Sequence, residues 1–408
     1  MNSEIKSFII LGLLSTAAAW GQSDQISMVK CTKSKGNPQE SCCPEPPSCP
    51  PAPSCAFPVP DVPSYNAPAA VSVCCPYGLW VEGSFIYWQA MEDNLQPAGS
   101  VQSSFTAAEL TLSNAFAQQT LLSMDFPFKP GFKVGFGLQL DYDHWDASAE
   151  YTWFHRNSLR SESNGIFFPY QLDMTTLLLL DSAVFNNFAL EFPFVPSFNQ
   201  TWKLHMDLLD VLLGRQYYAG TQLTFHPYFG ARAAWIRQRL TSRYEGLTDI
   251  TTFSTKNSHS WGVGARAGID TSWLVGYGLR IYGNGGADLL FTEYQISQKS
   301  NITGQADTGE IDSFTSLANQ SDVFTIRPHL DLEFGVGWGM YLNRNKLYLD
   351  FSADYGFQVF FDQNMFLNLT QPLSAEIFDS PISFTQTLPV YNGNLYIQGL
   401  TFKAQLDF

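Results

Sequence analysis

The stretch Leu400-Thr401-Phe402-Lys403-Ala404-Gln405-Leu406-Asp407-Phe408 decides the fold. Leu400, Phe402, Ala404, Leu406 and Phe408 alternate with Thr401, Lys403, Gln405 and Asp407, the two-residue period of a strand with one apolar and one polar face. Soluble antiparallel sheets show the same alternation, but this stretch ends on an aromatic residue with no polar tail, which predicts an apolar row lying at an interface. Outer-membrane barrels turn such a row, edged by aromatics, toward lipid and a polar row toward the lumen. Phe402, Leu406 and Phe408 are accordingly read as the assembly signal that barrel assembly machinery would engage.

The composition agrees. Only 14% of the 408 residues are charged and 15% are aromatic, against a usual charged share of roughly 25%. No apolar run after the N-terminus approaches the roughly 18 to 20 residues of a spanning helix; the longest is Leu177 to Leu180. A helical membrane protein is excluded, leaving a large soluble β protein or a membrane barrel, and the abundance of Phe, Trp and Tyr favours the barrel. A net charge of −15 with no basic stripe argues against a nucleic-acid partner.

Residues 1–21 read as a secretory signal: Lys6, an apolar Phe8 to Leu14, then Ala17-Ala18-Ala19. Residues 22–77 read as a Cys/Pro-rich periplasmic arm. All seven cysteines, Cys31, Cys42, Cys43, Cys49, Cys55, Cys74 and Cys75, fall here among closely spaced prolines, a composition that favours extended structure over a core. Cysteines in an exported chain suggest disulfides, and an odd number leaves one thiol free or paired with another molecule. Envelope proteins or further copies of this chain are the expected disulfide partners. The adjacent pairs Cys42-Cys43 and Cys74-Cys75 lack zinc-site spacing and a nearby histidine, so no metal or other cofactor is expected.

Residues 78–408 carry ten period-two stretches: Leu79–Gln89, Phe132–Tyr142, Ala147–Trp153, Trp202–Leu212, Leu223–Arg237, Ser258–Asp270, Leu279–Phe291, Thr325–Trp338, Leu347–Phe360 and Leu395–Phe408. Short connections (Asp143–Asp146, Leu213–Gln222, Thr271–Gly278, Gly339–Lys346) alternate with long ones (Ala90–Gly131, Asn157–Thr201, Gln238–Asn257, Thr292–Phe324, Phe361–Asn394). That segregation belongs to a transmembrane antiparallel up-and-down β-barrel with periplasmic turns and extracellular loops. Ten strands is a minimum: Leu110–Leu122 and Phe167–Phe198 each leave room for a hidden hairpin, so 12–14 are admitted.

The opening Leu79 to Ala90, Glu92-Asp93-Asn94-Leu95, the Phe132 to Asp146 hairpin, Tyr151 to His155, Tyr228 to Ile236 and Gly399 to Phe408 together resemble the major outer membrane protein family of intracellular bacteria, as in legionellae and chlamydia-like organisms. The resemblance implies a pore-forming barrel and, as in chlamydial relatives, an envelope held by disulfide cross-links. It does not extend to the Cys/Pro arm and supplies no catalytic residues.

With the polar row of each strand turned inward, the candidate pore-lining residues are Lys133, Asp141, Glu150, Arg232, Arg266, Arg280, Asp331, Glu333, Asp350 and Asp354. Basic and acidic residues partly segregate by wall, which predicts a transverse field across a constriction; direct pairing that fills a narrow closed barrel is the competing arrangement. Inward glycines such as Gly264 either keep bulk out of the curving wall and lumen, in which case Gly264→Phe narrows the pore, or mark bulges. His205 with Asp207 and His329 with Asp331 share a strand face, yet no Gly-x-Ser-x-Gly motif occurs, so charged lining is expected rather than an enzyme. The functional expectation is a porin passing small hydrophilic solutes or ions in the outer membrane, with a homotrimer admitted. The alternative is a structural and adhesive barrel, disulfide-linked to the envelope and meeting host ligands through its loops.

Overall fold

The computed structural model describes residues 65–69, 71, 73, 78–95, 98–101, 119–140, 144–169, 195–245, 251–306, 309–366, 372–377, 380–385 and 392–408. The signal, most of the arm with all seven cysteines, and Asp141 lie outside the described residues.

Ten strands form the wall: β1 Leu79–Glu92, β2 Lys129–Gln139, β3 Trp145–Pro169, β4 Val195–Arg215, β5 Leu223–Glu245, β6 Thr251–Gly276, β7 Leu279–Ala306, β8 Gly309–Leu342, β9 Leu347–Asn364 and β10 Gly393–Asp407. Each pairs antiparallel with its neighbours in sequence, and β10 pairs with β1, closing the cylinder. Leu79 and Phe408 seal the seam with reciprocal backbone hydrogen bonds of 3.3 and 2.9 Å. Closure leaves no unpaired edge along the wall, which is what a spanning sheet needs where no water can satisfy the backbone.

The alternation falls as expected. On β1, Leu79, Val81, Phe85 and Tyr87 are exposed while Glu82 and Ser84 are buried. The outward row continues around the wall through Phe136, Leu289, Ile326, Leu332, Phe334 and Phe402, each at least half exposed. An apolar band of this extent far exceeds the few hundred Å² that soluble proteins tolerate, and it marks a lipid-facing belt. On β6 the belt runs from Trp261 through Val263, Ala265, Ala267 and Ile269 to Trp273. Twelve residue-to-residue steps at about 3.3 Å each, tilted as barrel strands are, give about 30 Å of height, close to a bilayer core. No helix among the described residues is long and apolar enough to cross a membrane.

Three expectations are corrected. The connections Gln238–Asn257 and Thr292–Phe324 are largely strand: β5 and β6 leave only residues 246–250 between them, and β7 and β8 only 307–308. Their sequences lose the apolar/polar alternation because both faces have left the lipid, while the backbone ladder continues. Among the described residues the wall has the expected minimum of ten spanning strands, with no eleventh or twelfth. Phe167–Pro169 and Val195–Phe198 simply lengthen β3 and β4, the short strand Ala98–Val101 pairs with the tip of β3, and Gln119–Leu121 pairs with Ala98–Val101. At the other end, Tyr65–Pro68 pairs with Tyr217–Ala219 between β4 and β5.

Gly264 is the third correction. A Cβ there would fall on the backbone carbonyl of Leu289 in the adjacent strand, so the position is bare because β6 and β7 approach closely, and a Phe has no route into the lumen.

Candidate functional site: the barrel interior

The inward row differs between the two halves of the barrel. Toward the short turns it is charged; toward the long strand ends an apolar cluster shares it with buried polar side chains such as Glu92, Arg156, Gln200, Gln238 and Lys256.

At mid-height, Arg232 on β5 grips Asp210 on β4 through two hydrogen bonds, Nε to Oδ1 at 2.6 Å and Nη2 to Oδ2 at 2.7 Å. Its Nη1 reaches Asp288 Oδ2 on β7 at 3.0 Å. Arg266 on β6 donates to the same Asp288 oxygen at 3.1 Å and to Asp331 on β8 at 2.7 and 2.9 Å. His329 Nδ1 lies 2.8 Å from Asp288 Oδ2, and its ring packs 4.0 Å from that of Phe360. All these side chains are buried. Desolvated charges persist only when paired in this manner, and the forked geometry of arginine suits two carboxylates at once.

A second group stands beside it. Lys133 lies 3.3 Å from Glu150 and 3.6 Å from Glu333, and Lys403 donates to Glu82 at 3.0 Å. Nearer the short turns, Arg280 forks onto Asp350, and Tyr282 donates to Asp354 at 2.9 Å. His226 bridges Asp270 and Asp146, both at 2.9 Å.

The structure therefore brings Arg232, Arg266 and Asp331 into one network and Lys133, Glu150 and Glu333 into another, and joins Arg280 to Asp350. The expected separation of a basic wall from an acidic wall is not what the strands produce. Opposite charges meet directly, some on neighbouring strands and others, such as Arg266 with Asp331 and Lys133 with Glu333, from strands farther apart, because leaving either sign unpaired in this low-dielectric interior costs more than any field across it would recover. Sequence reasoning missed Asp210, Asp288 and His226; Asp288 shares the parity of Arg280 on β7, and that parity was the available signal. His205 and Asp207 are a further correction: they lie on the outer face of β4, alternating with the buried Leu204, Met206 and Leu208.

Ligand atoms of Asp288, His329 and Asp331 lie within 4.8 Å of one another. Both carboxylates are already held by guanidinium groups, whose charge opposes a metal cation, so the donor set fits arginine better than an ion.

A cavity of about 330 Å³ opens among Lys133, Glu150, Arg232, Arg266, Glu333 and Lys403, and a second of about 230 Å³ lies beside Arg280, Tyr282 and Asp350. Val71, from the segment preceding β1, borders both. Beyond the Arg232 layer the bore is filled instead. Ile86, Trp88, Phe154, Trp202, Leu204, Met206 and Ile236 are almost wholly buried and pack as one cluster with Phe360, Phe366 and Leu395. The Trp88 and Phe154 rings sit 5.7 Å apart, and Arg156 lies over the Trp202 ring at 5.0 Å.

No curated protein sequence matches the chain. Among solved structures, the outer membrane protease OmpT of Escherichia coli aligns over 83% of this chain and 98% of its own, at 9% identity and a TM-score of 0.33. The toluene transporter TodX of Pseudomonas putida aligns over 82% and 91%, at 9% identity and a TM-score of 0.21. A FadL homologue of Pseudomonas aeruginosa aligns over 81% and 89%, at 8% identity and a TM-score of 0.20. The sequence of residues 72–408 matches the family of the Legionella pneumophila major outer membrane protein precursor. With a closed ten-stranded wall, a lipid-facing belt and that match over most of its length, the chain belongs to this family of outer-membrane barrels.

Proposed function

We propose that the barrel is an outer-membrane channel for small hydrophilic solutes or ions, held shut in the conformation described, with its short turns and Phe408 in the periplasm and its long strand ends outside. The observation that carries this reading is the charge-lined cavity of about 330 Å³ on the short-turn half. A barrel serving only as a wall has no need of a polar vestibule, whereas a conduit does. The apolar layer around Trp88, Phe154 and Trp202 then acts as the closed constriction, of the kind that gates by excluding water. Short turns in the periplasm and long connections outside follow the usual topology of bacterial barrels. The reading includes no catalytic step.

That same apolar layer favours a second reading, a structural and adhesive barrel whose bore never opens. Planar-bilayer recording of the refolded protein separates the two. Brief, small steps that lengthen and grow in Trp88→Ala/Trp202→Ala support the channel, and the reversal potential in a salt gradient gives its selectivity. Silence from both proteins, each shown to be folded by its heat-modifiable mobility, transfers the assignment to the structural reading.

A further inference from the structure

The continuous apolar belt on the outer face of the wall ends at a row of tryptophans, beyond which apolar side chains such as Leu159 and Phe253 stand singly. Trp153 on β3, Trp235 on β5 and Trp261 on β6 occupy one register row, with Asp207 of β4 between the first two. Tryptophan rings collect at the boundary between hydrocarbon and headgroups. One row farther from the short turns, the outward residues are His155, His205, Arg237 and His259 on four consecutive strands; in the next row stand Lys203 and Arg239.

In a chain of net charge −15 with six histidines in all, three histidines and three full cations on one face of four adjacent strands are a concentration that needs a reason. The Arg237 side chain is 54% exposed, and Lys203, Arg239 and His259 are exposed as well. Asp207, immediately below, is occupied: Tyr151 donates to it at 2.8 Å and Arg237 reaches it at 3.5 Å. Arg239, exposed on the same face, donates its Nε to Asn257 at 2.8 Å, a bond that uses one of its five guanidinium donors.

We propose that Lys203, Arg237 and Arg239, with His155, His205 and His259, form a site for the phosphorylated headgroup of a membrane lipid in the outer leaflet. The proposal rests on the orientation given under Proposed function, which puts this end of the belt at the cell surface. Charge complementarity selects the ligand. Cations one or two residues above an interfacial tryptophan row stand at headgroup height, where phosphate is the anion presented, and arginine engages it with paired donors. The tryptophans beneath meet the acyl chains, so the lipid is recognised at both its charged and its apolar parts.

The test measures binding of bisphosphorylated lipid A to the purified, refolded full chain in detergent. A fully dephosphorylated lipid A and inorganic phosphate serve as comparison probes. The expected result is saturable binding of the phosphorylated lipid alone. It should weaken about tenfold or more in Lys203→Ala/Arg237→Ala/Arg239→Ala, since each cation at a charged lipid surface contributes on the order of 1 kcal/mol. Arg344→Ala/Lys346→Ala, in the turn at the opposite end, should bind as the parent does. Equal binding by the triple variant, or by the dephosphorylated lipid, overturns the proposal, as does failure of the folded parent to bind. The orientation is read separately, by antibody staining of intact cells carrying an epitope between Ala306 and Gly309 or in the Asn343–Lys346 turn. Binding by purified protein with staining only at the turn would defeat the orientation while leaving the phosphate site in place.

Discussion

Asp288 on β7 stands 3.1 Å from Arg266 on β6, and the same carboxylate oxygen also receives Arg232 at 3.0 Å and faces His329 at 2.8 Å. One buried anion thus ties four consecutive strands, β5 to β8, at mid-height.

Asp288→Asn should destabilise the barrel by about 3–5 kcal/mol, the cost of leaving buried charges without their partner. Urea unfolding of the refolded variant measures it. A loss under about 0.5 kcal/mol, the range of ordinary surface substitutions, would mean that the bore is wetter than its packing indicates.

The belt makes two outward leucines on β8 unequal. Leu332 is 63% exposed within the belt, and Leu317 is 67% exposed beyond its tryptophan boundary. Leu332→Arg should cost about 2–4 kcal/mol in lipid vesicles. Leu317→Arg should remain within about 0.5 kcal/mol of the parent. Equal costs would place the membrane elsewhere on the wall.

Gly264→Ala should destabilise by about 1–3 kcal/mol, because its methyl group meets a carbonyl of the paired strand. Gly264→Phe should yield little folded barrel rather than a narrower one. A correctly folded Phe variant with reduced conductance would restore the pore-lining reading of that glycine.

In the arm, an odd cysteine count leaves one thiol free or paired with another molecule, and we propose the second. Envelopes prepared with a thiol-blocking reagent and run without reductant should give bands above the monomer that collapse on reduction. Monomer alone in both lanes would remove the cross-linking role.

All ten strands were legible because lipid on one side and a polar interior on the other impose the same two-residue alternation. The pattern failed where that contrast lapses. In Phe85-Ile86-Tyr87-Trp88 both faces are apolar, so nothing distinguishes the inward Ile86 and Trp88 from the outward Phe85 and Tyr87. The filled upper bore was therefore invisible. In Thr251 to Asn257 both faces are largely polar, and strand was taken for loop. The charged residues were identified individually, but pairing across strands depends on register, which alternation alone does not supply. The outward His205 was assigned to the lumen for a related reason: polarity reports lumen only within the height of the belt.

The seam at Leu79 and Phe408 also sets an order of events. Lys403 and Glu82, which meet across it, are 321 positions apart in the chain. Every other junction in the wall joins strands that follow one another, so a growing sheet can add them one at a time, each by closing only the connection between them. The last junction can form only when β10 is at hand. Until then the sheet is an open ribbon with two bare edges, at β1 and at the newest strand, and both would pair with any passing neighbour. The cylinder is thus a post-translational object. Its completion is a single terminal event, and the interval before it is when the polypeptide most needs an escort.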